Sequence, residues 1–278
     1  MKLVSYRYEG KTRLGAVQAS KIVDLAAAAQ RFAEIAGQEV PEAVFASMAD
    51  LLSGPKEAVE TAGGISAWAL ENAPDTIKDL ETAEIDVPLA NPGKIVCIGL
   101  NYADHCRETG TPTPDFPVVF TKFTTSMLPH SGEISWLPQM TQQVDYEAEL
   151  AVIIGKKATH VPEEEAMEYV AGYTIANDVS ARDVQFEDGQ WIRGKSFDTF
   201  CPIGPFVITA DALPDPHTLD IQCRVNGQIL QDSNTEELIF QIPYLISYVS
   251  HSCTLMPGDI ICTGTPHGTG FFRDPQVL

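Results

Sequence analysis

The chain has 278 residues, of which 44% are hydrophobic, and carries 18 Lys+Arg against 38 Asp+Glu, a formal net charge of −20. That composition sustains a buried core and excludes a disordered chain, while the charge excludes a phosphate-backbone binder, whose affinity comes from clustered Lys and Arg. No apolar run approaches the ~20 residues of a membrane-spanning helix, and the opening MKLVSYRYEGKTRLG lacks the apolar stretch of a secretory signal.

Residues 2–8 and 12–18 read as two strands joined by a Glu9-Gly10-Lys11 turn. Asp24 is placed to cap a helix through 25–29, a second helical stretch covers 42–52 until Ser53-Gly54-Pro55 stops it, and a third covers 65–71. Residues 1–88 are thus expected to form a small α/β domain without clustered catalytic residue types. Between Asp86 and Gly93, two prolines, an Asn and a Gly punctuate the chain. Residues 92–278 are expected as a second, mostly β domain, with strands over 95–100, 118–123, 144–154, 219–225, 228–231 and 259–263. Asn226-Gly227 is a type I′ hairpin turn, and Pro243 opens a helix with Ile242, Leu245, Ile246 and Val249 on one face. Long βαβ repeats are lacking, which disfavours a doubly wound nucleotide fold. Six irregularly spaced cysteines, none in a C-x-x-C pair, read as free thiols of a cytoplasmic protein.

Alternating residues of a strand share a face, so Asp145, Glu147 and Glu149 are expected to point one way. An acidic strand is ordinarily a solvated face, but this one runs into Ala151-Val152-Ile153-Ile154 and reads as buried. Buried carboxylates need a compensating cation, and oxygen ligands suit Mg²⁺, Mn²⁺ or Ca²⁺. Asp178, at the end of the apolar stretch from Tyr173, offers a third oxygen. His105 and Glu108 are spaced i, i+3, which on a helical turn sets a carboxylate beside an imidazole. Arg182, Gln185 and Lys195 are donors suited to a developing oxyanion. The segment from Gly189 to Ser196 matches G-x-x-x-x-G-K-S, but no buried strand precedes it and no long helix follows, so a phosphate loop is rejected. The Gly-rich run from Thr263 to Gly270 presents backbone N–H groups suited to a carboxylate.

These segments occur together and in order: Gly99-Leu100-Asn101-Tyr102 with His105 and Glu108, Phe120-Thr121-Lys122, Asp145 to Leu150, Asn177 to Asp183, Gly194 to Asp198, and Thr263-Gly264-Thr265-Pro266. In them the sequence, from about Pro92 onward, resembles the fumarylacetoacetate hydrolase family. The resemblance implies a mixed α/β, mostly β fold, a β-sandwich roll behind a small N-terminal α/β domain, assembled as a homodimer. It implies Mg²⁺ or Mn²⁺ on Glu147, Glu149 and Asp178, a water-activating His105–Glu108 dyad, polarising roles for Gln185 and Lys195, and substrate contacts from Thr265, Arg182 and Lys122. Asp145 is not expected to be a ligand. The chain stops at Pro275-Gln276-Val277-Leu278, where family members continue, so an edge strand is expected to be missing.

The expected reaction is hydrolysis of a C–C bond in a β-diketo acid of the acylpyruvate type, through a pyruvate enolate held by the metal. Decarboxylation of oxaloacetate, and isomerisation or hydration of unsaturated 2-oxo acids, use the same chemistry and are the alternatives. The expected partner is a small anionic 2-oxo acid, with no nucleic acid and no membrane. A non-catalytic metal-binding domain is the rival from another class, and an imidazole base beside the acids tells against it. The absence of G-x-S-x-G and H-E-x-x-H disfavours a serine hydrolase and a zinc peptidase.

Overall fold

The computed structural model describes residues 1–273 except 39 and 41, so the expected early stop at 275–278 lies outside the described residues. Strands β1 (Lys2–Tyr8) and β2 (Lys11–Gln18) form a hairpin, followed by β3 (Lys21–Asp24). Asp24 then caps α1 (Leu25–Ala36) by accepting from the Ala27 N–H at 3.0 Å, and Gly37 closes the helix in the left-handed region. The helix expected over 42–52 is split. A 3-10 turn, Glu42–Phe45, comes first, and Ser47 then starts α2 (Met48–Ser53) by accepting from the Asp50 N–H. Helix α3 (Lys56–Asn72) begins well before the expected residue 65 and runs through Gly63-Gly64, where a side chain would meet only open space. These two glycines weaken propensity without breaking a contact, and packing of Ala58, Ala62, Ile65 and Ala69 carries the helix. Strands β4 (Ile77–Asp79) and β5 (Glu84–Ile85) complete this part.

The remaining elements are β6 (Ile95–Gly99), α4 (Ala103–Thr109), β7 (Val118–Lys122), β8 (Met127–Leu128), β9 (Val144–Asp145), β10 (Ala148–Ile154), β11 (Val170–Asn177), β12 (Ser180–Ala181), α5 (Arg182–Glu187), α6 (Ile192–Lys195), β13 (Cys201–Pro202), β14 (Phe206–Thr209), β15 (Asp220–Val225), β16 (Gln228–Asn234), α7 (Ile242–Ser252) and β17 (Ile260–Cys262). The main sheet runs β4-β3-β2-β1-β14-β11-β10-β17-β6-β7, with β5 on β1. All seven residues of β10 are buried, as expected of a strand covered on both faces. Asn226 and Gly227 both take positive φ, the geometry of a type I′ turn between β15 and β16. Helix α7 buries Ile242, Leu245, Ile246 and Val249. The fold is mixed α/β and mostly β, as the sequence indicates.

Two features position the site. The sheet is continuous through the punctuated segment at 88–92, because β1 pairs antiparallel with β14, and Leu3, Val23 and Ala62 share a buried cluster with Ile95, Ala151 and Cys262. The strand expected over 144–154 is interrupted at Tyr146-Glu147. There the chain leaves a short ladder with β12 and enters the main sheet at Ala148. Asn177 Oδ1 accepts from the Glu147 N–H at 2.9 Å, and Asp178 N–H donates to the Glu147 carbonyl at 2.9 Å. These bonds satisfy backbone groups that a single continuous ladder would have paired.

Candidate active site

The Ala148–Asn177 register of β10 and β11 sets Asp178, one residue beyond its strand, beside Glu147 and Glu149. One carboxylate oxygen from each of the three lies within 4.8 Å of the others, and all three side chains are buried. Three cations compensate. Lys195 Nζ, from α6, donates to Glu147 Oε2 at 2.8 Å and Asp178 Oδ2 at 2.9 Å. Lys122 Nζ, from the end of β7, donates to Asp178 Oδ1 at 2.6 Å and to the carbonyls of Val179 and Lys195. Arg182, at the start of α5, reaches Glu147 Oε1 at 2.7 Å and holds Asp145 through Nε at 2.9 Å and Nη2 at 2.6 Å. Gly194 is required here: a Cβ would sit 2.6 Å from the Gln185 nitrogen, so only glycine lets α6 approach α5 and deliver Lys195.

The charges are unevenly matched. Burial pushes the Glu147 carboxyl up, but Lys195 and Arg182 outweigh it and hold it at about 2. Burial pushes Glu149 well above the carboxylate range, and neighbouring Asp178 and Glu147 push it further; among the described residues its one hydrogen bond is from the Gly264 N–H at 2.9 Å. Burial pulls the Lys195 ammonium down, yet Asp178 and Glu147 outweigh it and raise it. Glu149 is thus a carboxylate with too little positive charge around it. The set of three hard oxygens with one under-compensated member fits an oxygen-loving divalent cation. Glu147, Glu149 and Asp178 are the residues that would hold it.

His105 and Glu108 both lie on α4, as the spacing requires. The His105 Nδ1 is 3.8 Å from Glu108 Oε2, longer than a hydrogen bond, and has no partner among the described residues. Glu108 Oε2 accepts instead from the Gly268 N–H at 2.9 Å and so ties the Gly-rich loop to α4. Burial pulls the His105 imidazole below its ordinary value of 6.5, an effect the neighbouring Glu147 carboxylate partly offsets.

A cavity of about 210 Å³ joins these groups. Its polar wall includes His105, Glu147, Glu149, Arg182, Gln185, Lys195 and Thr265, and its apolar wall includes Leu100, Phe120, Trp191, Phe271 and Phe272. The Gln185 carboxamide oxygen accepts from Arg182 Nη1 at 3.1 Å, which orients its NH₂ as the free donor. Lys122 and Asp178 support the cavity from behind, without lining it. Asp145 is engaged by Arg182 and by the N–H groups of Gly270 and Phe271, so it anchors the loop that carries Phe271 and Phe272. Lys195 points into the acid cluster rather than into a phosphate cradle, in keeping with the rejected P-loop.

The sequence gives Asn101 a place in a motif but no role, and it gives no sign of Gln231. The Asn101 carboxamide bonds Thr263, and Phe240 twice, locking the entry of α4 to the end of β17. Gln231 is wholly buried against Thr265. Gln231 carries no local signal, because a glutamine on a strand with polar neighbours reads as solvent-facing.

Residues 94–278 match the sequence profile described as fumarylacetoacetate (FAA) hydrolase C-terminal. A relative named oxaloacetate tautomerase, mitochondrial, from Xenopus laevis is 52% identical over 193 residues, 69% of this chain and 60% of that protein's length. The chain therefore matches less than two thirds of that relative. The fumarylacetoacetate hydrolase structure from Exiguobacterium antarcticum superposes with a TM-score of 0.80 at 33% identity, covering 100% of this chain and 91% of that one. Maleylpyruvate hydrolase from Sphingobium sp. SYK-6, solved with manganese(II) and pyruvate, gives 0.70 at 30% identity over 97% and 90% of the two chains. With profile, relatives and fold in agreement over the segments that build the acidic cavity, the chain belongs to the fumarylacetoacetate hydrolase family of enzymes.

Proposed function

We propose that this chain is a divalent-metal-dependent enzyme that moves a proton on the carbon beside the keto group of a small 2-oxo acid, with keto–enol interconversion of oxaloacetate as its reaction. The observation that carries the reading is the buried Glu147–Glu149–Asp178 cluster opening into a 210 Å³ cavity that the buried His105 imidazole also lines. Identity of 52% to an oxaloacetate tautomerase supports the choice of reaction. A divalent ion, Mg²⁺ or Mn²⁺, would polarise the keto oxygen and acidify the adjacent C–H. His105 takes that proton and returns it. Lys195 and the Gln185 NH₂ stabilise negative charge as it develops on oxygen. Thr265 and Arg182 receive carboxylate oxygens, and Lys122 fixes Asp178. In a chain of charge −20, this cluster of cations and metal is what makes the pocket hospitable to an anion.

C–C hydrolysis of an acylpyruvate is the second reading, favoured by the maleylpyruvate hydrolase neighbour. There His105 would activate water. The two are separated by mixing the protein and Mn²⁺ with enol-oxaloacetate and, in parallel, with acylpyruvates, and following the enol absorbance in the first and pyruvate in both. The first reading predicts accelerated enol decay without pyruvate, abolished by chelator. Metal-dependent release of pyruvate from acylpyruvates, with no acceleration of enol decay, would replace it with the second. Metal binding with no turnover of any 2-oxo acid would overturn both.

A further inference from the structure

We infer that Gln231 is a positioning residue for the anionic end of the substrate, acting through the Thr265 hydroxyl. This rests on the proposed reading of the cavity as a 2-oxo acid site. Gln231 lies on β16, in a hairpin outside the main sheet, and is wholly buried. Its Oε1 accepts from the Ala148 N–H at 2.9 Å, and its Nε2 donates to Thr265 Oγ1 and to the Pro266 carbonyl, each at 2.9 Å. Thr265 Oγ1 in turn donates to the Ala148 carbonyl at 3.1 Å. Three hydrogen bonds therefore close a ring through Ala148, Gln231 and Thr265.

The ring has a chemical consequence. A hydroxyl both donates and accepts. Because Nε2 can only donate, it occupies a lone pair of Thr265 Oγ1 and leaves the hydroxyl proton for an acceptor elsewhere. In the structure that acceptor is the Ala148 carbonyl; a carboxylate entering the cavity competes for the same proton. Gln231 thereby presets Thr265 as a donor toward an anion and fixes its rotamer. Ala148 lies between two of the acids, so the ring also ties the anion-binding hydroxyl to the strand that carries Glu149. Both carboxamide N–H groups and its oxygen are used. A glutamate cannot supply those donors and would add negative charge beside Glu147 and Glu149.

The test is steady-state kinetics on the full chain loaded with Mn²⁺, with oxaloacetate as substrate and oxalate as a binding probe, for Q231M, T265V, T265S and the double variant Q231M/T265V. One hydrogen bond to a charged group is worth about tenfold in affinity. Q231M is expected to raise KM and the oxalate Kd about tenfold while kcat changes by less than about threefold, with T265V matching it and T265S close to wild type. In the T265V background Q231M adds less than about twofold, because the group it acts through is gone. Additive effects of the two substitutions, or a fall in kcat at unchanged KM, would overturn the inference and leave the proposed function standing. If the wild type binds oxalate but turns over no 2-oxo acid, the proposed function fails, and the oxalate Kd values still decide the role of Gln231. If the wild type binds no small carboxylate, both fall. If Q231M does not fold, Q231E, which retains an acceptor for the Ala148 N–H, is measured instead. It is expected to raise the oxalate Kd more than about tenfold, and an unchanged Kd would overturn the inference.

Discussion

In the proposed reaction His105 is the proton carrier, and its surroundings set its pH behaviour. Burial lowers its proton affinity below the ordinary imidazole value of 6.5, so the neutral base persists to lower pH than in a free histidine. We expect the acid limb of kcat/KM to have its midpoint below 6.5, and His105→Ala to remove that limb and lower kcat about 10²–10⁴-fold. Retained kcat in that variant would exclude His105 as the base. The same shift bears on stability with a fixed sign. As pH falls below 6.5 the unfolded chain takes up a proton that the folded imidazole resists, so folding free energy is lost in the acid direction. Urea midpoints of the wild type should therefore fall more steeply than those of His105→Ala below 6.5. At this scale the sequence was informative about residue type and spacing: the three acids and the i, i+3 pair are visible as letters. It was silent on Gln231, whose burial depends on a hairpin folding back over β10, and on the bond Glu108 accepts from the Gly268 N–H, 160 residues away.

Single residues decide whether elements meet. At Gly194 a Cβ would press on the backbone of Gln185, so Gly194→Ala should destabilise by about 1–3 kcal/mol through overpacking and displace Lys195 from the acid cluster. Thermal melting and activity should fall together. Gly227, at φ 80 in the exposed hairpin turn, offers the contrast. Gly227→Ala should cost about 1–2 kcal/mol for the left-handed conformation while kcat stays within about twofold. Equal activity losses in both variants would contradict this division. Elements with strong local signals, the Asp24 cap, the Asn226-Gly227 turn and the apolar face of α7, were legible. The break at Tyr146-Glu147 was not, since an unbroken alternation ran through it and the interruption is imposed from Asn177 and Asp178. The early start of α3 was hidden because Gly63-Gly64 reads as a helix breaker, and tertiary packing overrides it.

For the whole molecule, one sheet unites the first strands with those that carry the acids, and α4 is clamped between the end of β17 and the Gly-rich loop. No helix among the described residues is long and apolar enough to cross a membrane. Strand β7 ends the main sheet, and near it Phe116 is 64% exposed, Phe123 56% and Leu137 56%. An edge unpaired among the described residues and lying beside apolar side chains calls for cover, and we propose that a second copy of this chain supplies it. Light scattering should give twice the chain mass of 30.2 kDa, and Phe123→Asp should shift it toward the monomer. A monomeric wild type would contradict the assembly. Above all, the account requires that Glu147, Glu149 and Asp178 share one cation. Titration of the metal-free protein with Mn²⁺, followed by electron paramagnetic resonance, measures that directly. The account predicts one tight site per chain, lost in Glu149→Gln and Asp178→Asn and retained in His105→Ala. Absence of tight binding, or binding indifferent to the loss of Glu149 and Asp178, would contradict it.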